Sequence, residues 1–191
     1  ETALHHSATH LLHASLKEVL GDHVKQAGSL VTADRLRFDY THFSPLSQAE
    51  KHKIEEQVNQ KIRENLTVIT CELPMEKAVK EGAVALFGEK YEDNVRVVSM
   101  GGFSKELCGG THTRATGNIG LFKIVSEGGI ASGVRRIEAV AGKSAYFTMQ
   151  EENKTLTSIR SILKVSPEEE INRIKKILEN VLSINALDNS K

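Results

Sequence analysis

Two pairs of potential metal ligands, far apart in the sequence, constrain the fold of this chain more than any other feature. The first pair is His6 and His10, and the second is Cys108 and His112. Each pair has i, i+4 spacing, so a helix that carries the first pair projects both imidazoles from one face. One thiolate and three imidazoles form a donor set that favours Zn²⁺, which binds sulfur and nitrogen tetrahedrally. The sequence therefore predicts a fold that joins the two pairs around a zinc ion.

The residues between the ligands refine this prediction. Gly109 and Gly110 separate the second pair, and we expect them to let the backbone turn tightly enough to aim both side chains inward. Ser7 follows His6, at the place where zinc proteases of the His-Glu-x-x-His type carry a glutamate as general base. Serine cannot replace that base, which excludes this class of protease. The sequence also has no Gly-x-Ser-x-Gly elbow and no phosphate-binding P-loop.

Residues 3–20 are predicted to form a helix whose two faces differ in chemistry. At about 100° per residue, the apolar side chains fall on one broad face, which suits burial in a core. Polar side chains occupy the opposite face at i, i+3, i+4 and i+7 spacing, so that face presents the first ligand pair. Gly21 is a natural stop for this helix. The apolar face comprises Leu4, Ala8, Leu11, Leu12, Leu16 and Val19, and the polar face comprises His6, Thr9, His10 and His13.

Short alternating or apolar runs predict the strands. In residues 36–40 apolar and charged side chains alternate, as in a half-buried strand, and residues 26–31 complete a hairpin with them. Residues 120–127 and 133–140 predict two more strands, joined by a glycine-rich turn over 128–132. The remaining strands are expected at 68–73, where Cys71 packs within the strand, and at 95–100.

Two further helices are predicted before the second ligand pair. Ser47 and Glu50 form a capping box that begins a helix over residues 47–65. A short helix follows at 75–80, whereas residues 83–91 favour no single structure.

The C-terminal part is predicted to be a helical arm. We therefore divide the chain into a zinc-containing domain, residues 1–142, and a helical linker or arm, residues 143–191. Ser166 to Glu169 combine a capping box with proline at the first helical position. The apolar stripe that follows is also compatible with a helical oligomerisation segment, although about two heptads are too few for a coiled coil. The stripe comprises Ile171, Ile174, Leu178 and Val181.

Composition narrows the kind of protein. Formal net charge is zero, so any RNA contact must come from a local basic patch. Two cysteines cannot make a disulfide framework, and the Cys-x₃-His spacing favours a reducing compartment. No apolar run approaches the roughly 20 residues that a membrane span needs, so we expect no membrane partner. Without an initiator Met or a signal peptide, we expect part of a longer enzyme from the cytoplasm or an organellar matrix.

Six blocks stand in order over roughly residues 3–142. They are His6-Ser-Ala-Thr-His10-Leu-Leu, Gly28-Ser-Leu-Val31, Leu36-Arg-Phe-Asp39, Ala85-Leu-Phe-Gly-Glu-Lys-Tyr91, Glu106-Leu-Cys-Gly-Gly-Thr-His112 and Gly133-Val-Arg-Arg-Ile-Glu-Ala139. Together these blocks resemble the editing domain of alanyl-tRNA synthetase. The threonyl-tRNA synthetase editing domain has a similar metal motif with a different loop, and free-standing alanyl editing proteins are closer relatives.

This resemblance implies a function and a set of site residues. It implies hydrolysis of tRNA(Ala) mischarged with serine or glycine, with Ala-tRNA(Ala) spared, inside a synthetase whose other parts flank this segment. It also implies an α+β fold, in which helices pack on an antiparallel sheet. The Zn²⁺ ligands that carry over are His6, His10, Cys108 and His112. The catalytic set is Thr9, Gln26 and Cys108, of which Thr9 and Gln26 line the pocket, and Arg135 is assigned to the acceptor stem.

Elementary selectivity arguments agree with an editing role. A synthetic site cannot strongly exclude glycine, which is smaller than alanine, so correction must follow transfer. An editing pocket can prefer serine over alanine if a polar group in it pairs with the seryl hydroxyl. Thr9 lies on the ligand face of the predicted helix, and we expect it to supply that group.

Several alternatives remain open from the sequence. Four protein ligands close a zinc site, so the ion has a structural role, or orients the aminoacylated end, or loses a ligand to admit water. The second function compatible with these residues is a non-catalytic RNA-binding module held by structural zinc. Arg135 shares a strand face with apolar neighbours, which leaves either RNA or backbone carbonyls as its partner. Arg136 lies beside Glu138, which favours a cross-face ion pair.

Overall fold

The computed structural model describes residues 1–85 and 92–188, and the side chains up to residue 182. The block of residues 85–91 therefore lies almost entirely outside the described residues. The elements are, in chain order, α1 (Thr2–Leu20), β1 (Gln26–Val31), β2 (Leu36–Thr41), α2 (Gln48–Arg63), β3 (Val68–Pro74), α3 (Met75–Lys80), β4 (Asn94–Met100), β5 (Ser104–Leu107), a 3₁₀ helix (Thr116–Ile119), β6 (Phe122–Ala131), β7 (Val134–Ala141), α4 (Gly142–Leu163) and α5 (Glu170–Asp188). Helices and antiparallel strands confirm the α+β prediction.

A four-stranded antiparallel sheet supports the first compact unit, Glu1–Tyr146, in the order β1-β2-β7-β6. The predicted hairpin is confirmed as β1 and β2, which pair from Gln26 opposite Tyr40 to Val31 opposite Leu36. Burial alternates along β2, as its sequence predicts. Its apolar side chains therefore face a core and its charged side chains face outward.

Helices α1 and α2 pack against each other and share one apolar core with this sheet. The predicted apolar face of α1 is confirmed, with four of its side chains fully buried. The capping box of Ser47 and Glu50 forms at the start of α2. Because one face of α1 is held in the core, its opposite face is rigidly presented to the rest of the unit. The core residues from these helices are Ala8, Leu11, Leu12, Leu16, Ile54, Val58 and Ile62.

A second antiparallel sheet, β3-β4-β5, carries a small apolar core of its own under α3. Strand β5 was not predicted, because its four residues, Ser104–Leu107, include two charged side chains and no alternating apolar pattern. Strand β3 was predicted, but Cys71 does not pack within it: its side chain is exposed. Strand β3 is an edge strand of this sheet and most of its residues are exposed, including Cys71, so this thiol faces solvent.

The connection between β6 and β7 differs from the prediction. Strand β6 continues through Gly128 and Gly129, and the turn lies at Ser132 and Gly133 instead of over residues 128–132. Gly133 has a φ of 69°, the left-handed conformation that a tight hairpin turn requires. Register shifts occur near Ile124 and Gly129, so the glycines accommodate irregular pairing within the strand.

The second compact unit, Phe147–Lys191, contains the greater part of α4 and all of α5. The Ser166 N–H donates a 3.3 Å hydrogen bond to a Glu169 carboxylate oxygen, which is one half of the predicted capping box, whereas the Glu169 N–H donates to the Ser166 carbonyl and not to its hydroxyl. Helix α5 nevertheless begins only at Glu170, because the three preceding residues form a turn. Among the described helices, none is both long and apolar enough to cross a membrane.

Candidate metal centre

The fold brings the two predicted ligand pairs together. His6 and His10 project from α1, and Cys108 and His112 come from the loop after β5. One potential ligand atom from each residue lies within 4.8 Å of every other. The three imidazole ring centroids are 4.3–5.2 Å apart. Side chains that are distant in the sequence therefore form a single cluster of four soft and borderline donors.

The donor spacing fits a tetrahedral ion. Cys108 Sγ lies 3.4 Å from His6 Nε2 and 3.3 Å from His112 Nε2. Zinc bonds of about 2.0–2.3 Å place neighbouring tetrahedral donors roughly 3.3–3.6 Å apart. His10 Nε2 is buried and has no hydrogen-bond partner among the described residues, although buried nitrogens are normally paired. A metal ion bonded to this atom would satisfy it.

Strand β4 fixes the ligand loop through Arg96. Its guanidinium donates hydrogen bonds of 2.7 and 2.6 Å to the carbonyl oxygens of Cys108 and Gly110. The Cys108 N–H in turn donates to the Arg96 carbonyl over 3.0 Å. A charged donor that bridges two carbonyls orders the loop, so the thiol is held beside α1.

Gly110 is needed for the space that it leaves beside His6. Neither Gly109 nor Gly110 is among the described glycines with a positive φ, so the loop uses no left-handed glycine at these two positions. A Cβ atom on Gly110 would lie 2.1 Å from Cε1 of His6, whereas a Cβ on Gly109 would meet nothing within 4 Å. Gly110 thus provides the space that the His6 ring occupies.

Ser7, which excluded the protease class, joins the ligand loop to α1. Its hydroxyl accepts a 3.0 Å hydrogen bond from the Thr113 N–H and lies 3.4 Å from His112 Nδ1. Ser7 is fully buried. A small hydroxyl at this position therefore orients the loop and the outer nitrogen of a ligand.

A buried carboxylate lies behind the ligands. Glu106, from β5, is 4% exposed, and its two oxygens contact two histidines of α1. His10 Nδ1 lies 2.7 Å from Oε2, and His13 Nδ1 lies 2.9 Å from Oε1. An ionised carboxylate only accepts hydrogen bonds, so both histidines carry a proton on Nδ1. That assignment leaves the Nε2 lone pair of His10 free for a metal.

Contacts within the cluster shift the pKa values of Cys108, His10 and Glu106. Burial alone would raise the pKa of the Cys108 thiol, but contacts with His10, His112 and His6 lower it to about 3. Burial alone would lower the pKa of His10, yet Cys108 and Glu106 raise it to about 9. Burial also opposes ionisation of Glu106, but His10 and His13 lower its pKa to about 2. At neutral pH the metal-free site therefore holds a thiolate, a carboxylate and a protonated His10, and binding of a cation displaces the Nε2 proton of His10.

Acidification is expected to destabilise the metal-free chain. The pKa of Cys108 falls from 9 to about 3, so its stabilisation is lost as pH falls through that range. The pKa of His10 rises from 6.5 to about 9, so its stabilisation is complete below 6.5 and lost between 6.5 and 9. These opposite slopes offset each other between pH 6.5 and 9. Below 4.5, the depressed pKa of Glu106 adds a further loss.

Urea unfolding in the presence of a chelator, at steps from pH 3 to 9, measures this dependence. We expect a free energy of unfolding that is nearly flat from pH 6.5 to 9 and declines at lower pH. A free energy of unfolding that rises on acidification below 6.5 would contradict the charge arrangement.

The two predicted pocket residues, Thr9 and Gln26, lie on different elements, α1 and β1. Thr9 is 5% exposed, and its hydroxyl donates a 2.8 Å hydrogen bond to the His5 carbonyl, one turn earlier in α1. Its oxygen keeps lone pairs that can accept another hydrogen bond. Gln26 begins β1 opposite Tyr40 and is partly buried. No hydrogen bond among the described residues joins the Gln26 side chain to the four ligands.

The two arginines of β7 both form ion pairs. Arg135 Nε–H donates to Glu127 on β6, and its side chain is only 11% exposed. The partner of Arg135 within the chain is thus a carboxylate, and not a backbone carbonyl, which was one of the two partners expected from the sequence. Arg136 forms two 2.7 Å hydrogen bonds with Asp39 on β2, so the expected pairing with Glu138 is wrong. Antiparallel pairing places Asp39 directly opposite Arg136.

Sequence reasoning missed the residues that support the ligands. Glu106, Arg96 and Ser7 contact ligand side chains or the ligand loop, and none was among the predicted site residues. Glu106 lies two residues before Cys108, and His13 continues the histidine face of α1. Those spacings were the available signals, but pairing them requires the unpredicted strand β5.

Comparison with known families defines the class of this site. Residues 95–138 match the family described as the threonyl and alanyl tRNA synthetase second additional domain. That segment includes β5, Glu106 and the ligands Cys108 and His112. The second candidate ligand pair and its supporting carboxylate thus lie within the segment that matches this family description.

Almost the whole chain is similar to a set of alanine–tRNA ligases. It is 56% identical over 177 residues to alanine–tRNA ligase of Desulfitobacterium hafniense, covering 93% of this chain and 20% of that ligase. It is 51% identical over 183 residues to the Nitrosomonas eutropha ligase, covering 96% of this chain and 21% of the ligase. For the Listeria monocytogenes ligase, identity is 54% over 177 residues, covering 93% and 20%. The chain spans about a fifth of these relatives, and almost all of its length is similar to a segment of alanine–tRNA ligases.

Proposed function

We propose that this chain is the editing segment of an alanine–tRNA ligase and hydrolyses Ser-tRNA(Ala) and Gly-tRNA(Ala). The observation that carries the proposal is the convergence of four ligand atoms within 4.8 Å. Its support is the identity of 51–56% to alanine–tRNA ligases over almost the whole chain. In this proposal residues 1–142 form the editing domain, and residues 143–191 link it to other parts of a cytoplasmic or organellar ligase.

We propose that His6, His10, Cys108 and His112 hold one Zn²⁺. A bound zinc ion would supply a Lewis acid able to polarise an ester carbonyl or a water molecule. The thiolate of Cys108 and the free Nε2 of His10 provide the charge and lone pairs that such an ion needs. Four protein donors fill a tetrahedral shell, so a water nucleophile requires a fifth position or the release of one donor.

In this proposal Thr9 selects serine over alanine. Its hydroxyl proton is used by the His5 carbonyl, so the oxygen acts as an acceptor toward a seryl hydroxyl. Alanine has no hydroxyl to donate, and its ester would leave that acceptor unpaired. Gln26 is assigned to the same pocket through the family resemblance.

The Thr9→Val substitution tests this role. We expect the ratio of Ser-tRNA(Ala) to Ala-tRNA(Ala) deacylation to fall roughly two- to tenfold, because a single hydrogen bond contributes about 0.5–1.5 kcal/mol. The matched control is Thr116→Val, since the Thr116 hydroxyl is also buried and donates to a backbone carbonyl, that of Lys61. An unchanged ratio in Thr9→Val, measured as initial rates on both substrates, would overturn the assignment.

Arg135 is proposed as a contact to the tRNA acceptor stem. Its Nε–H donates to Glu127, which fixes the direction of the guanidinium, and Tyr40 is a second hydrogen-bonding neighbour. In this proposal the remaining N–H donors contact a phosphate or a base edge. The whole chain has no net charge, so such contacts must be local.

A deacylation assay tests the proposed function. Incubating the chain with Ser-, Gly- and Ala-tRNA(Ala) should release serine and glycine and spare alanine. The second candidate, a non-catalytic RNA-binding module with structural zinc, is favoured by the closed donor set. It predicts binding of tRNA(Ala) with no release of serine above the uncatalysed rate, and that result would overturn editing activity.

A further inference from the structure

We infer that Glu106 is a positioning residue of the metal centre, which selects the metal-binding tautomer of His10 and is itself held in place by His13. This inference rests on the proposed metal centre, and it concerns two residues outside the ligand set. Neither Glu106 nor His13 belongs to the four donors that converge on one point.

The first step is the bond between Glu106 and His10. Oε2 accepts a 2.7 Å hydrogen bond from His10 Nδ1, and both side chains are at most 6% exposed. Glu106 has no proton to offer, so the imidazole must carry its proton on Nδ1. The opposite nitrogen, Nε2, then presents a lone pair into the donor cluster. Outer carboxylates of this kind orient ligand rings and raise their basicity.

The second step is the bond between Glu106 and His13. Oε1 lies 2.9 Å from His13 Nδ1, and the two side chains are 5% and 3% exposed. His13 Nε2 is buried and has no hydrogen bond among the described residues. The one side-chain hydrogen bond described for His13 is therefore the one to Glu106, and its ring centroid lies 5.2 Å from that of Phe38 in the core. His13 thus fixes the second oxygen of the carboxylate.

A carboxylate is required because both oxygens must accept. A glutamine at position 106 has one accepting oxygen and one donating NH₂ group. It can accept from His10 or from His13, but the other histidine then faces a donor. If His10 faces the NH₂ group, its proton moves to Nε2 and blocks the metal-binding nitrogen. Glu106→Gln preserves shape and volume, so it tests hydrogen-bond polarity separately from packing.

The test is metal affinity of Glu106→Gln, measured by competition with a zinc chelator on the folded chain. We expect affinity to fall about 10- to 100-fold, the usual effect of removing an outer-shell partner. With Co²⁺ as the probe, the absorption bands of the bound ion should also shift, since the position of one nitrogen ligand changes. His13→Leu should cause a smaller loss, because the bond from His10 to Glu106 survives.

A second-site variant distinguishes positioning from general destabilisation. In Glu106→Gln with His13→Leu, the amide oxygen no longer has two competing donors and can turn to His10. We expect this double variant to bind metal more tightly than Glu106→Gln alone, although it carries one more core substitution. A double variant that binds metal no more tightly than Glu106→Gln would overturn the positioning role.

The matched control is Asn59→Ala. The Asn59 amide makes two hydrogen bonds to the Phe122 backbone, so its loss destabilises the same unit away from the ligands. It should lower the melting temperature and leave zinc affinity within about threefold of the original chain. Wild-type affinity and an unshifted Co²⁺ spectrum in Glu106→Gln would refute the inference whatever the deacylation assay shows. A chain that binds metal but fails to deacylate would refute only the proposed function.

Discussion

Replacing Cys108 by alanine is expected to lower both zinc affinity and Ser-tRNA(Ala) deacylation by more than about 100-fold. Removing an outer-shell partner costs about 10- to 100-fold, and loss of a direct donor exceeds that. Cys108 supplies the only sulfur of the cluster and lies 3.3–3.4 Å from two of the imidazoles. Metal content after dialysis and initial deacylation rates measure the two effects.

The control for this experiment is Cys71→Ala. Cys71 is the other cysteine of the chain; it is unpaired and exposed on β3. Its replacement should leave metal content and activity unchanged. Full metal content in Cys108→Ala would contradict its assignment as a ligand. Circular dichroism of Cys108→Ala assigns the role of the ion: loss of activity with an intact fold favours direct participation, and loss of the fold with the metal favours a structural zinc.

The second large effect is expected for Gly110→Ala. The added methyl group would lie 2.1 Å from the His6 ring, a distance that no packing permits. The His6 side chain is free to rotate away, so the chain should still fold, with a loss of about 1–3 kcal/mol. Rotation removes one nitrogen from the cluster, and zinc affinity should fall at least about 10-fold.

Gly109→Ala provides the matched comparison one residue away. Its Cβ would meet no atom within 4 Å, and no positive φ opposes the substitution. We expect zinc affinity within about threefold of the original chain. Chelator competition on both variants gives the comparison directly. Equal losses in Gly109→Ala and Gly110→Ala would show that the loop needs backbone freedom and not space for His6.

Local sequence patterns correctly predicted those helices and strands in which apolar residues recur at a regular spacing. Alternation in residues 36–40 and the capping box of Ser47 and Glu50 each encode their element within a few residues, and both are confirmed. Strand β5 carries little such information, because it forms through pairing with β4. Glycines misled the prediction at residues 128–132, since Gly128 and Gly129 continue β6 and the turn lies at Gly133.

Residue type and spacing single out the four candidate ligands but not the residues that contact them. A His pair at i, i+4 on a helix and a Cys-x₃-His loop are local signals, and the structure places their donor atoms together. Glu106 contacts His10, which is 96 residues away in the sequence, and Arg136 contacts Asp39, which is 97 residues away. Such contacts depend on which strands and helices become neighbours. No local pattern in the sequence specifies them.

The central claim is that the four residues form one zinc centre, and X-ray absorption at the zinc edge tests it most directly. On the zinc-loaded chain we predict one zinc per chain, bound by one sulfur at about 2.3 Å and three imidazole nitrogens at about 2.0–2.1 Å. A chain that retains no zinc, or a zinc shell without sulfur, would contradict the assignment of Cys108 and the centre built around it.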